Sequence, residues 1–308
     1  MIAIRNAWGE KRVIPNSDSP ELGTTFDTRG KTMKKVLLAT TALVMMAGVA
    51  NAEVSLGGSA RMGMDYDESR ASDKIRAAYR TRINLTGSAE TDSGLSFSAT
   101  IRLQDATTTA TTNAIGVTVS GAFGSLTFGS SSSAAELAVG DIAGVGYGII
   151  GSEGTTSIND AALIVYSYTA GSLTVMASAG QLGTDDFSLG GSYSANGLTV
   201  AAGYEDNGTS KATSASVAYA MGDTTVKAVW MDNEEIAGGD NQIGASVKHA
   251  MGAISMSAYY QTTDTAAADD VDYGVGAAYD LGGGAAIKGG FASTDGNTTA
   301  DLGMTFSF

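Results

Sequence analysis

Residues 75–87 read IRAAYRTRINLTG, and the two faces of this stretch do not belong in the same solvent. In an extended strand alternate side chains point to opposite sides. Ile75, Ala77, Tyr79, Ile83 and Leu85 fall on one side, and Arg76, Arg80, Arg82, Asn84 and Thr86 on the other. Residues 95–103 repeat the division, with Leu95, Phe97, Ala99, Ile101 and Leu103 against Ser96, Ser98, Thr100 and Arg102. Neither stretch offers the two apolar faces of a sandwich core, and no amphipathic helix is available to cover the apolar one. Met by water, such faces would make every strand an aggregation hazard. Met by lipid, they are in their proper solvent.

Working outward, the same alternation recurs near 53–66, 75–90, 95–104, 113–121, 125–129, 161–169, 172–180, 185–194, 198–206, 211–220, 224–232, 241–249, 253–262, 270–280, 285–293 and 298–308. These are sixteen strands, an even number. The connections alternate in length. Tight, glycine-bearing turns lie at 91–94, 122–124, 170–171, 195–197, 221–223, 250–252 and 281–284, as hairpins with positive φ require. The intervening links are mostly longer and rich in Asp, Asn, Ser and Thr. Short turns on one rim and longer polar loops on the other predict an all-β fold, a transmembrane antiparallel up-and-down barrel of the outer-membrane kind.

Composition agrees. The 308 residues include 41 Gly, two Pro and no Cys, with a formal net charge of −14. The lack of Cys excludes disulfides, thiol catalysis and zinc-cysteine sites. The acidic balance argues against nucleic acid as a partner, since phosphate binding needs a basic face. Both prolines, Pro15 and Pro20, precede residue 33, so the segment read as strands has none to interrupt a ladder.

Residues 33–52, MKKVLLATTALVMMAGVANA, have the anatomy of a secretory signal peptide: Lys34 and Lys35, an apolar run from Val36 to Val49, and the small-x-small site Ala50-Asn51-Ala52. The apolar run is short for a transmembrane helix, which needs ~20 residues. Residues 1–32 show no periodicity and are expected to be an upstream extension outside the fold. The barrel is then expected over 53–308. Its last letters, DLGMTFSF at 301–308, still alternate, and a sheet in hydrocarbon cannot keep an unpaired edge. The last strand is therefore expected to close on the first, whose Val54, Leu56, Ala60, Met62, Met64 and Tyr66 supply the same outward stripe. Tyr166, Tyr168, Tyr204, Tyr219, Tyr259, Tyr273, Tyr279 and Phe291 lie near strand ends, where an aromatic girdle would sit.

Several stretches carry a resemblance: EVSLGGSARMGM at 53–64, YRTRINLTGSAETDSGLSF at 79–97, SGAFGSLTFG at 120–129, VYSYTAG at 165–171, YGVGAAYDLGGGAAIKGG at 273–290 and ADLGMTFSF at 300–308. Together they resemble the trimeric sixteen-stranded general porins of the Rhodobacter type. The resemblance implies a homotrimeric outer-membrane channel passing ions and small hydrophilic solutes by passive diffusion, without turnover or a required cofactor. It implies that Phe306 and Phe308 belong to the closure and insertion signal. It also implies contact with outer-membrane lipid and lipopolysaccharide.

The longest unpaired stretch is about 130–160, and loops of that length are usually functional or disordered. In the resembled family the third loop folds into the barrel, and Gly140-Asp141 and Gly146-Tyr147 match it. Its acids here are Glu136, Asp141, Glu153 and Asp160, fewer than that family carries. On the polar phase of the first strands lie Arg61, Arg76, Arg80, Arg82 and Arg102; Arg facing lipid at mid-depth costs roughly 2–4 kcal/mol, so these are expected to line the lumen. They either set a transverse field against the acidic loop or pair with its carboxylates and hold it inside, and the two roles are compatible. The charge excess of the chain predicts a weak cation preference.

Other motifs carry less. Gly146, Gly148 and Gly151 spell a dinucleotide-type G-x-G-x-x-G, but no βαβ unit surrounds them. His249, the one histidine, alternates with Ile243, Ala245 and Val247 and is expected to face outward, which leaves no Ser-His system and argues against an enzyme. The acidic groups Asp185-Asp186, Asp232 with Glu234 and Glu235, and Asp269, Asp270 and Asp272 read either as a solvated rim or as loose Ca2+ sites bridging lipopolysaccharide phosphates. A soluble solenoid would show a fixed repeat, and none is present. The competing functions are a substrate-specific channel or an adhesin acting through its external loops.

Overall fold

The computed structural model describes residues 52–107, 111–129, 132–148, 162–180, 186–233, 241–264, 269–294 and 296–308, with the backbone alone at 111–115. The extension at 1–32, nearly all of the signal-type segment, and Glu153, Asp160, Asp185, Glu234 and Glu235 lie outside the described residues.

The strands follow the alternation closely. In chain order they are β1 (Glu53–Asp67), β2 (Ile75–Glu90), β3 (Ser96–Ala106), β4 (Thr111–Gly121), β5 (Gly124–Phe128), β6 (Ile164–Ala170), β7 (Leu173–Ala179), β8 (Asp186–Ala195), β9 (Leu198–Asn207), β10 (Lys211–Met221), β11 (Thr224–Asn233), β12 (Gln242–Met251), β13 (Ile254–Asp264), β14 (Asp269–Gly282), β15 (Ala285–Thr294) and β16 (Asn297–Ser307). Each pairs antiparallel with its sequence neighbours, and β1 pairs with both β2 and β16 to close the ring. Closure is complete to the last residue: the Gly58 and Phe308 amides donate to each other's carbonyls at 2.7 and 3.1 Å. Among the described residues the ring has no open edge strand, which lipid could not solvate.

Register carries the alternation around the ring. Met62 pairs with Met304 and Met64 with Leu302, so the apolar stripes of β1 and β16 share the outer face. On the strands the large exposed apolar side chains point outward, from Leu56 and Ile75 to Val275 and Leu302. At the tightest rim Asn196 and Gly197 both have positive φ, 50° and 81°, the pair of values a two-residue hairpin with native twist demands. His249 faces outward as expected, lining a shallow apolar groove with Val247, Met256 and Phe291, and its Nδ1 lies 2.8 Å from the Thr224 hydroxyl.

One girdle assignment fails. Tyr259 is 5 % exposed and points inward, while its neighbour Tyr260 is the outward aromatic. Adjacent tyrosines cannot be phased by type alone, and the register of Tyr260 opposite Ala245 and Tyr273 decides it.

The outer face makes a direct prediction. Leu189 sits in mid-strand on β8, among the exposed apolar side chains of the outer wall. Leu189→Arg is expected to destabilise the barrel by about 2–4 kcal/mol. Urea-dependent folding into lipid vesicles, read by the shift of the unheated band in gel electrophoresis, checks it; an unchanged midpoint would mean that this face does not meet lipid.

Candidate functional site

The described part of the long loop, residues 132–148, runs along the inner wall rather than over the rim. It begins with a six-residue helix, α1 (Ala134–Val139), capped by the Ser133 hydroxyl, which accepts from the Glu136 amide at 3.1 Å. The helix packs on β7, β8, β9 and β10. Helix N-terminal amides lack intrahelical partners. Here the wall supplies them: Ala134 N–H donates to Ser178 Oγ at 2.9 Å and Ala135 N–H to Ser188 Oγ at 2.8 Å. The Ser133 hydroxyl also donates to Glu205, a carboxylate only 3 % exposed.

From there the loop is strapped strand by strand. The Val139 carbonyl accepts from Ser216 Oγ at 2.9 Å and from Lys227 Nζ at 2.6 Å. Ala143 N–H donates to Ser246 Oγ at 2.9 Å, and Ser257 Oγ donates to the Gly144 carbonyl at 3.1 Å. Tyr147 N–H donates to Asp301 Oδ2 at 2.9 Å, while Arg61 Nη1 donates to the Tyr147 carbonyl at 3.4 Å and also to that of Gly148. Between the straps Ile142 and Val145 pack on Val229, Tyr259 and Ala292, the small apolar core that this hollow molecule possesses. That contact covers Tyr259, which the alternation of its strand already turns inward.

The wall under the loop is flattened by glycines that meet in pairs. Gly190 pairs with Gly203, Gly276 with Gly290 and Gly63 with Gly303. A side chain at Gly203 would place its Cβ 2.5 Å from Ala135 Cβ, one at Gly290 2.5 Å from Gly146 N, and one at Gly63 2.8 Å from the Tyr147 ring. Gly190 is equally blocked, by the Ala134 carbonyl. The loop therefore rests on bare backbone, and Gly146 belongs to this close approach, against the Asp301 carboxylate, rather than to any nucleotide fingerprint.

The arginines lie across the ring. α1 packs mainly on β8 and β9, which stand eight strands from β16 and β1 whichever way the ring is counted, so the helix faces that side of the ring, where β1 and the adjoining β2 and β3 carry the arginines. Arg61 and Arg80 are direct cross-strand partners, an arrangement of like charges that costs stability. Arg82 Nε donates to Gln104 Oε1, and Arg102 Nε to Asn84 Oδ1 at 3.1 Å. Arg80 has no hydrogen-bond or ion-pair partner among the described residues, and Arg76 is exposed toward the rim, in register with Asp65. Asp65 and Asp67 are instead paired with Arg70.

Sequence reasoning placed Arg61 among the wall cations, but its partners are loop carbonyls, not loop carboxylates. Of the expected loop acids, Glu136 is half-buried and Asp141 exposed. Burial pushes the Glu136 carboxyl above the usual carboxylate range, with Asp141 and Glu205 adding to the shift and hydrogen bonds from Ser132 and Ser133 opposing it. Burial likewise pushes the Tyr147 phenol up to about 12, so it stays neutral. Glu205, Lys227, Asp301 and the wall serines went unrecognised in the sequence. Their signal is polar residues on the inward phase of successive strands, beside glycines, and it becomes visible once the register is known. Among the described residues no group of three or more His, Cys, Asp or Glu could hold a metal ion.

A lumen bordered by a strapped loop, with charge on opposite sides, can pass solutes. Comparison with known proteins agrees. A family model described as Gram-negative porin matches residues 39–299. A porin of Rhodobacter capsulatus is 32% identical over 306 residues, covering 83% of this chain and 100% of that protein. A porin structure refined at 1.8 Å superposes with a TM-score of 0.70 at 29% identity, and an engineered mutant of Rh. blastica porin with 0.73 at 26%; each covers 83% of this chain and 100% of the other. From its closed sixteen-strand wall to its family match, the chain belongs to the Gram-negative porins.

Proposed function

We propose that this porin works as a homotrimeric general diffusion pore, exported by the segment at 33–52, in which the inward loop and the arginine wall together set the aperture. The observation that carries the reading is the opposition of α1, with Glu136 beside Asp141, to Arg80, Arg82 and Arg102 on the far wall. Charges of opposite sign across a narrow opening make a transverse field. A polar solute aligns its dipole there and loses hydration at little cost, while an apolar one does not. Diffusion of this kind uses no cofactor and no catalytic residue.

Trimer formation draws support from the outer face of β16 and β1–β3. At mid-height it is aliphatic and methionine-rich, with Met62, Met64, Ile83, Ile101, Leu103 and Leu302, whereas most outward tyrosines other than Tyr66 and Tyr79 lie on β6–β14. Phe306 and Phe308 would serve the insertion signal. Calcium bridging the acidic rim at Asp269 and Asp270 to lipopolysaccharide phosphates belongs to the same reading, carried by the charge of that rim alone.

Liposome swelling tests the function. Rates for uncharged sugars are expected to fall smoothly with molecular size and not to saturate; saturation by one sugar would instead indicate a substrate-specific channel. The arginine wall makes a separate prediction. Arg80→Ala and Arg82→Ala should shift the zero-current potential in a KCl gradient further toward cations while unheated trimers persist on gels. An unchanged potential would place those side chains off the conduction path.

A further inference from the structure

The large apolar side chains exposed on the strands lie on the outer face. Leu137 does not. It is 47 % exposed on α1, which lies inside the ring. The wall-facing side of that helix is already occupied: Ala134, Ala135 and Val139 are buried, and the Ala138 methyl lies over Gly190. At 100° per residue, positions 136 and 137 fall on the opposite side of the helix. Leu137 therefore projects into the lumen beside Glu136, toward the side of the ring that carries the arginines. Ions and sugars gain nothing from a leucine exposed to the lumen, because it offers them no hydrogen bond.

We propose that Leu137 is a specificity-determining residue that favours small amphiphilic anions, monocarboxylates with a short alkyl chain. The geometry orients such a solute. Glu136 repels the carboxylate from the helix side, and the wall of Arg80, Arg82 and Arg102 attracts it. The alkyl chain is left to slide over Leu137, where part of its surface leaves water. This rests on the reading of the arginines as pore-lining.

The test uses bi-ionic zero-current potentials of the full barrel in planar bilayers, with chloride, acetate and hexanoate as sodium salts. Leu137→Gln, similar in size but polar, is expected to lower the hexanoate-to-acetate permeability ratio by about threefold. Acetate relative to chloride should stay unchanged, and Leu137→Met should retain the parent ratio. Arg80→Gln should lower both carboxylates alike. An unchanged hexanoate-to-acetate ratio in Leu137→Gln, with chloride current intact, overturns the proposal. A parent protein that passes no chloride overturns the open-channel reading itself, and this inference with it.

Discussion

The double variant Arg61→Ala, Asp301→Ala is expected to conduct more than the parent protein, in larger and noisier single-channel steps. These two side chains hold the end of the described loop: Asp301 accepts the Tyr147 amide, and Arg61 donates to the Tyr147 and Gly148 carbonyls. Hydrogen bonds to charged groups contribute about 1.5–3 kcal/mol each. Removing both weakens the anchor by more than any single serine strap contributes. Removing them together also avoids leaving one buried charge without the other. The barrel should survive, since neither side chain takes part in the backbone ladder. Planar-bilayer recording with the unheated gel band as a fold control checks the prediction. Steps of unchanged size would mean that the serine straps and the Ile142 and Val145 contacts suffice to seat the loop.

Gly203→Val should act in the opposite direction. Its Cβ would fall 2.5 Å from that of Ala135, so α1 must move away from the wall, and away from the wall is into the lumen. Overpacking of this kind typically costs about 1–3 kcal/mol, comparable to the two hydrogen bonds that the Ala134 and Ala135 amides donate to the wall and that the displacement would stretch. Conductance is expected to fall, and more so when Gly190→Val is added, because Gly190 and Gly203 are cross-strand partners under the same helix. Gly203→Ala should show a smaller fall in the same direction. If valine at 203 leaves conductance unchanged while the barrel folds, α1 does not border the aperture.

The two predictions concern a part of the molecule that the sequence reveals least. The strands were legible because one physical rule repeats: apolar residues at every second position, with a glycine turn wherever the phase must restart. Closure was legible from the matching stripes of β1 and β16. The loop obeys no period. A helix of six residues is too short to show one, and α1 went unforeseen. Its partners are separated in sequence by 44 to 154 residues, from Ser178 against Ala134 to Asp301 against Tyr147. Only the register of the closed sheet brings them to one wall. Arg61 shows the intermediate case: alternation placed it in the lumen, while its choice of carbonyls over carboxylates depended on where the loop backbone passes. Tyr259 shows the limit of phasing by residue type, since its burial is set by Ile142 and Val145 on that same loop.

Single-channel recording of the refolded protein in potassium chloride tests the central claim, a water-filled pore narrowed but not closed by the seated loop. The account predicts discrete, ohmic steps that the parent protein shows without any added ligand. A bilayer that stays silent, although the protein is folded and inserted, would contradict it and make residues 132–148 a plug rather than a constriction.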